Sequence, residues 1–475
     1  MSDSKDIQIE NLQESPIMNL NSEDPSERSS AIESLTNEDL SEEVVKTLCS
    51  MVGDPDKGVR NSVDYMLSSN PNPDIPSNLV KYISSKNINT RNLAGEILLK
   101  LGSPSVKAML YSLKDANDED IKFLVDLLGL IGDEEAAPVI LEILQKNNDE
   151  NVILACIESL GNLKYQNALD TIISFYDINE LYKATIFEAI GKIGSSKALD
   201  FIISNFQAED DLTKFSMIES LGMIGNEKTL FFLISVLTEL NGPLIWPIIE
   251  AIFFLKEKFN LDIPFDERMK NLILDTIDEA DIRYKKTAAK LITAYDSNEI
   301  MPACLKIYGE DIETDEIIKP KIFEAPKEFF KLLPSFINND SKNLMSLLEL
   351  TVELLSSDNS SYRNIITTIQ TRELADSCTK CLDNPDEEVR KLGIEILFTI
   401  DKEIALLFLD KMLDDNSMWN KLRLLEILSE IDSSEAEDAI EKLSKDNEEM
   451  ISDRAKFMLE ERTEITQASN PEGTI

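Results

Sequence analysis

Apolar side chains recur along this chain at two positions, three residues apart, that repeat every 31 residues. Leu48, Leu79, Leu110, Leu141, Ile172, Ile203 and Ile234 form one column. Met51, Tyr82, Leu113, Leu144, Phe175, Phe206 and Leu237 form the other. A separation of three puts both members of a pair on one face of a helix. A second pattern follows each pair: LGLIGDEEAA (128–137), LGNLKYQNAL (160–169), IGKIGSSKAL (190–199) and LGMIGNEKTL (221–230). Their first glycines, Gly129, Gly161, Gly191 and Gly222, fall inside a helix, where glycine is costly. Their recurrence predicts a neighbouring helix packed closely at that point. Three residues on, Gly132, Gly194 and Gly225 stand where that helix should end in a left-handed cap; Lys164 replaces glycine and should cap less well.

Each unit therefore reads as a helix, a turn, a second helix and a short connection, and no stretch reads as strand. Two turns are nearly identical, TLCSMVGDPDKGVRNS (47–62) and SCTKCLDNPDEEVRKL (377–392). Asp54 or Asn384 is expected to cap the second helix, with the following proline at its first position. Arg60, Arg91 and Arg390 recur after the turn and are expected to cap it or to tie onto an acid of the next unit. The same register places the Cys-x-x-Cys pair, Cys378 and Cys381, on the core columns of Leu48 and Met51. A metal site would need two more ligands, and a redox site would want its thiol at a helix start rather than near a helix end. Core packing is the expected role of both cysteines.

The Asp-Pro-Asp…Val-Arg turn, the Leu-Gly-x-Ile-Gly-Asp-Glu-x-Ala ending and the 31-residue stride together resemble HEAT repeats. They are most similar to the short bacterial kind also found in phycobilin-lyase-like proteins. The resemblance covers about 41–257 and 371–460. It implies an all-α fold, a right-handed α-α superhelix of the HEAT/armadillo-type solenoid, with the second helices on the inner, concave side. Binding or scaffolding is the function it implies. Its lyase-like branch implies the alternative, a phycobilin-lyase-like enzyme or chromophore-attachment factor. The expected organisation is an acidic N-terminal tail (1–24), a regular array (25–257), irregular helical repeats interrupted by Pro320, Pro326 and Pro334 (258–370), C-terminal repeats (371–460) and a loose tail (461–475). The N-terminal tail's apolar clusters, Ile7-Ile9-Leu12 and Ile17-Met18-Leu20, read as chance rather than as a docking peptide.

Charge narrows the partners. With 47 Lys plus Arg against 89 Asp plus Glu, the net charge is −42. Nucleic acid and anionic membrane are disfavoured by repulsion. Histidine is absent, which removes His-based triads, imidazole metal ligands and imidazole proton shuttles. The five scattered cysteines suit a reducing cytoplasm, and neither a secretory signal nor an apolar run long enough for a bilayer is apparent. A cytoplasmic monomer without catalytic residues, metal or cofactor is expected.

The residue three before each first-glycine position is acidic: Glu33, Asp64, Glu96, Asp126, Glu158, Glu188, Glu219 and Glu250, resuming at Glu395 and Glu426. On second helices facing inward these carboxylates would form a ladder, although an acid there also serves as an ordinary solvated position. Phe215 and Trp246 lie four residues before Glu219 and Glu250, on the same helical face; Trp419 lies seven before Glu426. Carboxylates beside exposed aromatics suit a protein partner with a basic or basic-apolar surface; core packing of the rings is the competing expectation. A non-catalytic scaffold or adaptor in a bacterial signalling or assembly complex is the expected function.

Overall fold

The computed structural model describes residues 19–35, 40–237, 239–240, 242–263, 266–356 and 366–469. Most of the expected N-terminal tail, including Ile7, Ile9, Leu12, Ile17 and Met18, lies outside these residues. Every regular element among the described residues is helical. The chain forms two compact units, Met1–Leu261 and Asp262–Ile475.

In the first unit, helix α1 (Pro25–Ser34) is followed by hairpins of a short first helix and a longer second one. The pairs are α2 (Glu42–Ser50) with α3 (Lys57–Ser69), α4 (Asp74–Leu79) with α5 (Ile88–Leu101), and α6 (Val106–Ser112) with α7 (Asp118–Ile131). Then come α8 (Ala137–Lys146) with α9 (Glu150–Asn162), and α10 (Leu169–Ser174) with α11 (Lys183–Ile193). The unit closes with α12 (Leu199–Asn205) and α13 (Asp211–Ile224), then α14 (Glu227–Val236) and α15 (Ile245–Phe259). Second helices α1, α3, α5, α7, α9, α11, α13 and α15 pack side by side in chain order, and each first helix packs on the second helix that follows it. This is an α-solenoid: each hairpin buries its apolar faces mainly against its neighbours.

The core follows the expected columns with one correction. Leu48, Leu79, Ile172, Met51, Leu113, Leu144, Phe206 and Leu237 are buried, but Leu110, Leu141, Ile203, Ile234, Tyr82 and Phe175 are only half-buried. For the first four, the predecessors Met109, Ile140, Ile202 and Leu233 fill the interior instead, each 0% exposed; for Tyr82 and Phe175 the successors Ile83 and Tyr176 do so. Successive hairpins are 30 to 32 residues long, so a fixed stride slips by one residue, about 100° around a helix.

The turns correct a second expectation. The second helices start at Lys57 and Glu387, so their caps are Asp56 and Asp386 rather than Asp54 and Asn384. Asp54 and Asn384 instead accept from the amides of Asp56 and Asp386 at 2.9 Å, and the prolines sit in that loop outside the helix. A short polar side chain bonding its own backbone two residues on is a turn former, and it competes with capping.

The recurrent glycines do mark close approach. A Cβ at Gly161 would lie 2.8 Å from the Ala189 Cα on α11, and one at Gly129 would lie 2.9 Å from the Ser159 Cα on α9. At the helix ends Gly132 and Gly194 adopt left-handed caps, φ 78° and 80°. Gly225 does not: its φ is −58°, and a Cβ there would collide with the Leu221 carbonyl oxygen. Lys164 takes the left-handed conformation at φ 52° despite its side chain. Lys164→Gly is therefore expected to stabilise the unit by about 0.5–1 kcal/mol, measurable as a higher urea midpoint.

In the second unit, Glu267–Glu279 pairs with Ile282–Ile292 and Ser297–Ile307 with Ile312–Glu324. The prolines do not break this region as expected: Pro320 and Pro334 lie inside helices Ile312–Glu324 and Pro326–Phe336, and Pro326 opens the latter. Packing of Ile318, Ile322, Phe329, Phe330 and Leu333, all buried, outweighs the local proline cost. The last helix, Glu449–Ser469, runs past the expected boundary at 461, since no glycine or proline stands before Pro471 to stop it. Leu20, placed in the expected N-terminal tail, is buried in the first unit.

Candidate functional site

The acidic column lies on the stacked second helices. In the first unit Glu33, Glu96, Glu158 and Glu188 are exposed, Asp64, Asp126 and Glu219 half-buried, and Glu250 buried at 6% exposure. In the second unit Glu395 is half-buried on helix Glu387–Ile400 and Glu426 exposed on Met418–Ser429. Phe215 and Trp246 are half-buried on the adjacent helices α13 and α15, whereas Trp419 is 63% exposed. Four residues beyond Glu219 and Glu250 stand Met223 and Phe254, both exposed. On α13 and α15 the carboxylate position is thus flanked along the helix by large apolar groups on both sides.

Several of these carboxylates already hold a cation. The Lys100 ammonium sits 2.8 Å from Asp64 and 2.8 Å from Glu96, joining successive repeats. Arg423 does the same for Glu395 at 2.6 Å and Glu426 at 2.9 Å. The Lys100 pKa is raised, first by Asp64 and then by Glu96; that of Arg423 is raised first by Glu426 and then by Glu395. Asp126 and Glu188 pair within their own helices with Lys122 and Lys192. Glu158 is exposed and makes no ion pair with a described residue. One cationic side chain is therefore enough to span two neighbouring positions of the column.

A second set of contacts ties consecutive turns, and of these only the recurrence of arginine was visible in the sequence. Arg28 grips Asp54 through two bonds of 2.9 Å, and Arg390 grips Asp415 at 2.8 and 2.9 Å. Arg91 pairs with Glu119, Lys183 with Glu209 at 3.1 Å, and Lys421 with Asp446 at 2.8 Å. The signal that could have found them is a cation early in a second helix and an acid 25 to 28 residues later, in the next turn. Arg60 and Arg390 also donate to turn carbonyls of residues 54–55 and 384–385. The recurring arginines are thus structural, as the sequence suggested.

All five cysteines are buried and free. Burial pushes the Cys49, Cys156 and Cys304 thiols up to about 12 and Cys381 to about 11, and raises Cys378 well above its ordinary value. Protonated, enclosed thiols are poor nucleophiles, so they lend no support to attachment of a chromophore. Cys378 and Cys381 lie on the core face of helix Thr368–Cys381, both 0% exposed. Among the described residues no group of three or more His, Cys, Asp or Glu side chains is placed to hold a metal ion. No described helix is long and apolar enough to cross a membrane.

Residues 106–180, from α6 to the end of the turn before α11, match the family model described as HEAT repeats. The repeats within residues 106–180 are HEAT repeats. Solved structures of similar fold include importin beta in an ammonium sulfate condition, 11% identical over 94% of this chain and 68% of that one, with a TM-score of 0.42. The Kap95:Nup1 complex is 11% identical over 94% and 73%, with a TM-score of 0.48. Kap121p bound to RanGTP is 12% identical over 90% and 56%, with a TM-score of 0.42. Likenesses this distant carry no residue roles to this chain. No curated protein matches it.

Proposed function

We propose that the chain is a non-catalytic scaffold that holds a protein partner along the second helices of its HEAT repeats, through lysine or arginine side chains of that partner. The bridge made by Lys100 between Asp64 and Glu96 supports this reading most directly, since it shows that the column's spacing suits one cation per two repeats. On α9 and α11 the corresponding positions are Glu158 and Glu188; Glu188 pairs with Lys192 of its own helix, and no described cation joins the two carboxylates. Phe215 and Trp246, on the next two second helices, supply apolar surface beyond that stretch. Each exposed pair contributes only about 0–1 kcal/mol, so affinity must come from several pairs together with the rings.

The test uses the full chain with Trp419→Phe, which leaves Trp246 as the reporter, and a labelled peptide alternating arginine and leucine. Binding is expected to shift the Trp246 emission and to weaken as salt rises. Glu158→Lys with Glu188→Lys should weaken binding at least about tenfold without loss of helicity. Glu250 is left intact because it is buried. Affinity unchanged by that double reversal would exclude this surface.

A further inference from the structure

Two adjoining clefts open on the first helices of the first unit rather than on the second helices that carry the acidic column. One, of about 650 Å³, lies between α6 and α8, with Leu110, Val139 and Ile143 among its walls and Lys107, Lys114 and Lys146 also lining it. The other, of about 610 Å³, lies between α4 and α6 and is lined by Val80 and Lys81. Lys107 and Tyr111 belong to both. Tyr111 is 73% exposed, and the Lys114 ammonium stands 5.0 Å above its ring. Lys146 is neutralised by Glu142, and Glu135 and Asp115 are the other acids at the rims. Lys81, Lys107 and Lys114 make no ion pair with any described residue, in a chain with 89 acids to 47 bases. Three lysines without an ion pair, Lys81 on one cleft, Lys114 on the other and Lys107 on both, thus border apolar side chains on this side of the unit.

We propose that these clefts bind an extended acidic segment of a partner protein, with its carboxylates on Lys81, Lys107 and Lys114 and its apolar side chains against Leu110, Val139, Ile143 and Tyr111. Leu110 is available for this because the core in that repeat is filled by Met109. The chain's own N-terminal segment also carries acids and apolar residues, and deletion of residues 1–18 distinguishes it from a partner. The site is independent of the acidic column, being of opposite sign and on the other helices.

The test measures fluorescence anisotropy of a labelled decapeptide alternating glutamate and leucine against the full chain. Saturable binding is expected, weakening between about 0.1 M and about 0.5 M salt. Lys107→Glu with Lys114→Glu, and separately Tyr111→Ala, should each weaken it at least about tenfold with an unchanged circular dichroism spectrum. Glu158→Lys with Glu188→Lys should leave it within about twofold, which separates this site from the one proposed above. No saturable binding, or binding indifferent to both the lysine and the tyrosine variants, overturns the proposal. A tenfold gain on deleting residues 1–18 assigns the clefts to that segment, and a tenfold gain on diluting a self-associated chain assigns them to a second copy. Either result overturns the partner reading.

Discussion

Asp415→Ala is expected to destabilise the second unit by about 3–5 kcal/mol, the range for removing one member of a buried ion pair. The Asp415 and Arg390 side chains are only 4% and 13% exposed. The carboxylate takes two bonds from the guanidinium, one from the Ser417 amide at 2.8 Å and one from Asn420 at 3.2 Å. Removing it strands a guanidinium that still donates to the carbonyls of Asn384 and Pro385 at 2.9 and 3.1 Å. Arg390→Met combined with Asp415→Leu should recover most of the loss, because no charge is then left buried alone. Thermal unfolding of the full chain, followed by hydrogen exchange in residues 387–429, would measure both.

The same pair sets an acid limit. Burial by itself would raise the Asp415 pKa, but Arg390, the Ser417 amide and Asn420 outweigh it and hold the group below its ordinary value. A depressed folded-state pKa contributes stability above the unfolded value, about 3.9, and loses it as pH falls through the folded value. Destabilisation of this unit by acid should therefore begin below about pH 4 and be smaller in the Arg390→Met, Asp415→Leu variant. An unaltered acid transition in that variant would show that other carboxylates set the limit.

Gly161→Val is expected to cost about 3 kcal/mol or more in the first unit. Its Cβ would come within 2.8 Å of the Ala189 Cα and 3.0 Å of the Ala189 Cβ, so backbone rather than a flexible side-chain tip must move. Overpacking of this kind costs about 1–3 kcal/mol, and valine adds two further methyls beyond the first clash. Alanine at the same position suffers the first clash but regains about 1 kcal/mol of helix propensity, so its net cost is smaller. At Gly222 the nearest atom to an added methyl is the Ala251 Cβ, at 3.1 Å, and Gly222→Ala should be nearly neutral. The expected order of urea midpoints is Gly222→Ala, Gly161→Ala, Gly161→Val, falling. A Gly161→Val chain as stable as the native one would mean that α9 and α11 can separate freely.

Burial of Cys378 and Cys381, the close approach at the recurrent glycines and the hairpin order were all legible from periodicity. Each depends on residues that repeat in register, and a one-dimensional stack repeats its environment with them. Other features were misplaced by small shifts. Leu110 and Leu141 left the core because hairpin length varies by a residue; Asp54 became a turn former rather than a cap because the helix began two residues later. For the acidic column, the residues themselves were visible but their surroundings were not. Nothing in the spacing distinguishes Glu158, exposed, from Glu250, buried, or predicts that Lys100 joins Asp64 to Glu96.

From the sequence alone came the helical hairpins, the identity of their apolar faces and the absence of histidine chemistry, because these follow from local periodicity and composition. Tertiary structure alone decided which charges are paired, which aromatic rings remain half-buried and where two first helices part to leave a lysine-lined hollow. Those outcomes depend on distances between side chains of different repeats; a cation and an acid 25 to 28 residues apart mark candidate pairs, but only ångström-scale separations across a packed interface decide which of them form.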